Sequence, residues 1–69
     1  MDIKIKFGCH LKKLRKQKNL TQEKLSELAN IDRSYISDIE RGVKNVSIEK
    51  LYQLANALEI SMKDLLNFE

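Results

Sequence analysis

Leu20-Thr21-Gln22-Glu23-Lys24-Leu25-Ser26-Glu27-Leu28-Ala29-Asn30-Ile31-Asp32-Arg33-Ser34-Tyr35-Ile36-Ser37-Asp38-Ile39-Glu40-Arg41-Gly42 reads as two short helices joined by a tight turn. Thr21 can cap the first, whose apolar residues Leu25, Leu28 and Ala29 fall at i, i+3 and i+4. Asn30 follows, and Asn tolerates the left-handed conformation that a turn at a helix end demands. Asp32 can cap the second helix, with Ile36 and Ile39 facing inward and Gly42 ending it. Two helices this short, separated by three or four residues, fit a helix-turn-helix better than an ordinary helical hairpin.

The rest of the chain reads as helices around this pair. Ile3, Phe7, Leu11 and Leu14 form the apolar stripe of a first amphipathic helix running to about Gln17, broken by Lys18-Asn19. Val43 to Val46 is a loop. Ser47 can cap a fourth helix whose inward face is Ile48, Leu51, Leu54, Ala55 and Leu58. Ser61, with Asp64 three residues on, opens a short fifth helix carrying Met62, Leu65, Leu66 and Phe68. The expectation is a single all-α domain of five helices over residues 1–69, with no repeat, low-complexity segment or linker.

Sixty-nine residues allow only a modest core, but 42% hydrophobic and 33% charged residues place the chain among globular rather than disordered sequences. The lone cysteine, Cys9, cannot form an internal disulfide and suits a reducing compartment. No segment approaches the roughly 20 apolar residues of a membrane span, and the N-terminus lacks a signal-peptide hydrophobic region. The expected location is the cytoplasm. Positive charge is concentrated early: Lys4, Lys6, Lys12, Lys13, Arg15, Lys16 and Lys18 stand against Asp2 alone over residues 1 to 18. Glu59, Asp64 and Glu69 outnumber Lys63 at the other end. Such asymmetry suits either a basic face near nucleic acid or a solvated helix face.

Chemistry-bearing constellations are few. Cys9 and His10 point about 100° apart on a helix, and no other Cys or His exists to complete a metal site or a nucleophilic pair. No metal, cofactor or small-molecule effector is expected, and a chain this short offers little room for a substrate pocket. An enzyme is the reading least supported.

The pattern resembles the Cro/phage-repressor (xenobiotic-response-element) helix-turn-helix family over roughly residues 7 to 66. The marks are Arg15, the Leu20-Thr21-Gln22-Glu23 run, Leu25, Ala29, and Tyr35-Ile36-Ser37 with Ile39-Glu40-Arg41-Gly42. Asn45, Ser47 and the Leu51, Leu54-Ala55, Leu58 helix continue it. Asp32 to Ser37 and Arg41-Gly42 with Asn45 look most like restriction–modification controller proteins. Asn30 stands where the family usually has Gly, and Ser26 where it usually has Ala. The resemblance implies a compact lambda-repressor-like fold and a transcriptional regulator that binds double-stranded DNA as a homodimer on a palindromic operator. A single recognition helix reads too few bases alone, and two-fold dimers read half-sites about 34 Å apart.

The same resemblance, joined to helix geometry, assigns roles. Arg33, Ser34, Ser37 and Asp38 lie off the Ile36–Ile39 stripe on a helix suited to the major groove, and Arg33 can grip guanine O6 and N7. Tyr35 is either a DNA contact or a core-edge aromatic. Thr21 and Gln22 start a helix whose free N–H groups can meet a phosphate, and Lys44-Asn45 is a candidate backbone clamp. Arg15 and Glu40 occupy the family's positions for a partly buried structural ion pair. The dimer contact is expected on Ile60, Met62, Leu65, Leu66 and Phe68, since a terminal helix with that many apolar residues exceeds what docking requires. The rival readings are an antitoxin-type protein that binds a toxin and autoregulates, and a protein–protein module without DNA.

Overall fold

In the computed structural model, which describes residues 2–68, the chain forms five helices: α1 Ile3–Gln17, α2 Gln22–Ala29, α3 Arg33–Glu40, α4 Ile48–Leu58 and α5 Met62–Leu65. No strand occurs among the described residues. Each helix begins at a side chain that accepts a free backbone N–H: Asp2 from Lys4, Thr21 from Lys24, Asp32 from Ser34, Ser47 from Lys50 and Ser61 from Asp64.

The ends of the first four helices share one device. Asn19, Asn30, Gly42 and Glu59 take positive φ, between 57° and 80°. The next residue then donates its N–H five residues back: Leu20 to Arg15, Ile31 to Ser26, Val43 to Asp38 and Ile60 to Ala55. At the helix-turn-helix turn, the Ser26 hydroxyl adds a 2.6 Å bond to the Ile31 carbonyl. Ser26 therefore ties down the turn that Asn30 makes, and Ile31 is delivered into the core.

Phe7, Leu11, Leu25, Ala29, Ile31, Ile36, Ile39, Leu54, Ala55, Leu58 and Leu65 form that core. α1 packs on α3, α2 on α3 and α4, and α4 on α5. Three residues expected to face inward do not: Ile3 is 58% exposed, Leu28 51% and Ile48 78%. Each lies at one edge of its helix's apolar arc, beyond the neighbour that covers the centre. The fifth helix is also shorter than its apolar run, so Leu66 is its C-cap and Phe68 follows it.

Of the residues expected at the dimer surface, Leu65 is fully buried, and its side chain serves the core. Phe68 is half-buried, edge-on to Phe7 with ring centres 5.8 Å apart and 5.4 Å from the His10 ring. Met62 and Ile60 also pack partly against the core. Docking on so small a body uses most of this run, leaving Leu66 exposed.

Candidate nucleic-acid interface

The surface around α3 is assembled by the core beneath it. Burial of Ile36 and Ile39 leaves Arg33 and Ser34 exposed and Ser37 and Asp38 half-exposed. Arg33 shares a shallow depression with Thr21, Gln22 and Glu23, so the start of α2 and the start of α3 border one another. At the other side of α3, the Tyr35 hydroxyl donates to the Asn45 carbonyl at 2.9 Å and fixes the 43–46 loop beside the helix. The residues read from sequence as candidates thus line one continuous surface from Thr21 and Gln22, across α3, to Lys44 and Asn45.

Several of these side chains already have partners. Asp32 accepts both the hydroxyl and the backbone N–H of Ser34. The Ser34 hydroxyl first, then its N–H and the neighbouring Arg33 charge, hold the Asp32 carboxyl below its ordinary range. Asp38 is engaged by the Arg41 guanidinium at 2.5 Å, an exposed i,i+3 pair. Arg33, by contrast, makes no ion pair among the described residues and presents its fork of donors to solvent.

The Arg15–Glu40 pair forms as the resemblance implied. Arg15 is 7% exposed, and its Nε donates to Glu40 Oε2 at 2.7 Å while Nη2 reaches Oε1 at 3.1 Å. A third donor, Nη1, binds the Leu20 carbonyl at 2.7 Å. Sequence reasoning missed the next link: Gln22 Nε2 donates to the same Glu40 Oε1 at 3.1 Å. Gln22 is tethered to the ion pair by one amide hydrogen, which leaves its second N–H and its carbonyl for another partner. One guanidinium thereby joins the end of α1, the start of α2 and the end of α3 beneath the exposed surface.

Two more residues escaped the sequence. Gly8 lies where α1 crosses α3, and a Cβ there would stand 2.3 Å from the Ile39 carbonyl oxygen. Lys50, in the first turn of α4, sets its ammonium 5.9 Å from the Tyr35 ring centre. Its signal was present, since acids are preferred near helix starts and Lys50 stands third in its helix.

Among the described residues no group of three or more His, Cys, Asp or Glu comes together as a metal site. No helix among them is long and apolar enough to cross a membrane. The helix-turn-helix family model matches residues 11–65. The chain belongs to the helix-turn-helix family. Within this family it is 43% identical over 68 residues to "Control protein C.BamHI" of Bacillus amyloliquefaciens, covering 97% of this chain and 84% of that protein. It is 46% identical over 65 residues to "Control protein C.MunI" of a Mycoplasma species, covering 93% and 88%. Among solved structures, the restriction-modification controller protein C.AhdI from Aeromonas hydrophila superposes with a TM-score of 0.91 at 43% identity, over 94% of this chain and 98% of that one. The clp gene regulator ClgR from C. glutamicum superposes at 0.85, with 35% identity over 91% and 82%. The fold is therefore that of the helix-turn-helix controllers.

Proposed function

We propose that this protein is a sequence-specific double-stranded DNA-binding transcriptional regulator of the controller type, acting as a homodimer on a palindromic operator. The observation that carries the reading is the exposed Arg33 guanidinium at the start of α3, without an ion-pair partner among the described residues and flanked by the Thr21–Gln22 helix start and the Lys44–Asn45 loop. A helix enters the major groove with its N-terminal residues nearest the base edges, and Arg is the commonest reader of guanine. In this reading the helix start and the loop contact backbone phosphates and fix register. The relatives are named control proteins and transcriptional regulators, which favours this reading over the antitoxin-type one. It is a binding protein rather than an enzyme, and a cytoplasmic one.

Selection of genomic fragments by the purified protein supplies the operator, and two variants then test the assignment. Arg33→Ala is expected to erode the preference for operator over scrambled duplex, since a two-pronged guanine contact carries about 1–3 kcal/mol of discrimination. Lys44→Ala is expected to weaken both duplexes alike and to flatten the salt dependence of log K by about 0.9 for each phosphate it no longer neutralises. An unchanged operator-to-scrambled ratio in Arg33→Ala would show that another residue reads the bases.

For the dimer, Ile48 and Tyr52 on α4 and Leu66 after α5 are exposed apolar residues, with Met62 half-buried at the start of α5. Ile48, Tyr52 and Met62 line one depression, with Lys50 at it too, and Leu66, one helical turn after Met62, borders a second with Ile3 and Phe68. An isologous contact through this surface buries apolar area that the monomer leaves in water. Sedimentation should show a dimer for the parent and a shift toward monomer for Ile48→Glu and Leu66→Glu. A parent that stays monomeric at high micromolar concentration, with and without DNA, would remove the homodimer from the reading.

A further inference from the structure

We propose that Lys50, with Lys44 and the Tyr35 ring that both cations approach, forms a phosphate-binding cluster at the start of α4, on the edge of the DNA-facing surface. The inference rests on the DNA-binding reading above and assigns it a residue that neither the helix-turn-helix pattern nor the loop clamp supplied. Lys44 Nζ lies 6.0 Å and Lys50 Nζ 5.9 Å from the centre of the same aromatic ring. The three side chains come from three elements: α3, the loop after it, and the first turn of α4. Each cation is attracted by the ring's electron-rich face, a contact that is modest at an exposed site.

Folding alone does not ask for Lys50. A cation in the first turn of a helix opposes the positive end of the helix dipole. α5 has Asp64 at the corresponding third position. α2 has a lysine there too, but Lys24 lies 3.7 Å from the Glu27 carboxylate. Neither Lys44 nor Lys50 has a carboxylate partner among the described residues. Glu49 precedes Lys50 in the chain, and adjacent helical residues diverge by about 100°. The Tyr35–Asn45 hydrogen bond holds ring and loop together, so the cluster is formed before any ligand arrives. An anion at this edge of the surface would give these ammonium groups a charged partner. A backbone phosphate of duplex DNA lying along α3 is the anion that this position meets.

The test is a salt titration of duplex binding by the full chain, comparing parent, Lys50→Gln, Lys50→Arg and Lys63→Gln. Lys63 lies on α5, and its replacement removes the same unit charge away from the cluster. Release of one phosphate should make the parent-to-Lys50→Gln affinity ratio shrink about 3.5-fold between 50 and 200 mM salt. Lys50→Arg should keep the parent slope, Lys63→Gln should run nearly parallel to the parent, and Lys50→Gln should melt no lower than the parent. A parent slope in Lys50→Gln, or an equal change in Lys63→Gln, overturns the cluster while leaving the DNA reading intact. If inorganic phosphate raises the melting midpoint of the parent but not of Lys50→Gln, while both bind duplex with the same salt slope, the site takes the free ion, and its assignment to the DNA backbone falls. A parent that binds no duplex overturns the function proposed above.

Discussion

Glu40→Ala is expected to leave most of the chain unfolded at room temperature. The side chain is only 3% exposed, and its two oxygens accept from Arg15 Nε, Arg15 Nη2 and Gln22 Nε2. Truncation strands a guanidinium whose remaining partner among the described residues is the Leu20 carbonyl. Breaking a buried pair from one side costs about 3–5 kcal/mol, because the other charge stays buried and uncompensated. A 69-residue domain has a total stability of about 3–10 kcal/mol at the usual margin per residue, so the loss is comparable to the whole. Thermal melting followed by circular dichroism decides the matter. A midpoint within a degree or two of the parent would place the pair in the surface class, where such contacts contribute about 0–1 kcal/mol. The double variant Arg15→Met with Glu40→Leu should recover much of the loss, since well-packed apolar replacements of buried ion pairs are often tolerated.

Gly8→Ala should also destabilise the fold, and the sign is what makes it informative. In an exposed helix interior the same change stabilises by up to about 1 kcal/mol. Here the new methyl would stand 2.3 Å from the Ile39 carbonyl oxygen and 2.9 Å from that of Glu40. Both obstacles are backbone atoms and cannot turn aside as a flexible side chain would. α1 must lift from α3, disturbing Phe7, Leu11 and the Arg15–Glu40 pair together. Overpacking of this kind typically costs about 1–3 kcal/mol, and for a domain this small each kcal/mol lowers the melting midpoint by about 4–8 °C. A raised midpoint would mean that the α1–α3 contact has slack and that the close approach is not required.

Much of the candidate site could be read from residue order because its parts are local. Thr21 and Asp32 each cap a helix through an N–H two or three residues away, and Asn30 makes its turn by its own backbone angle. The exposure of Arg33 and Ser34 followed from the period that buries Ile36 and Ile39. The Gln22–Glu40, Tyr35–Asn45 and Lys50–Tyr35 contacts were not legible in the same way. They join residues 18, 10 and 15 positions apart across different elements, and no periodicity encodes such a meeting.

The sequence by itself determined five helices, the capped starts of the last four, the left-handed turn at Asn30 and the residues available to face DNA. These depend on interactions within one or two helical turns, which the chain specifies wherever it goes. Tertiary structure alone decided which edge of each apolar arc would be covered. Ile3, Leu28 and Ile48 were left in water, and Leu65 was taken into the core. It also decided that Gly8 is a contact point and that Arg15 and Glu40 carry Gln22 with them. A helix's own period marks an arc that can be buried. How much of that arc disappears depends on the angle and distance of the neighbouring helix, which packing sets.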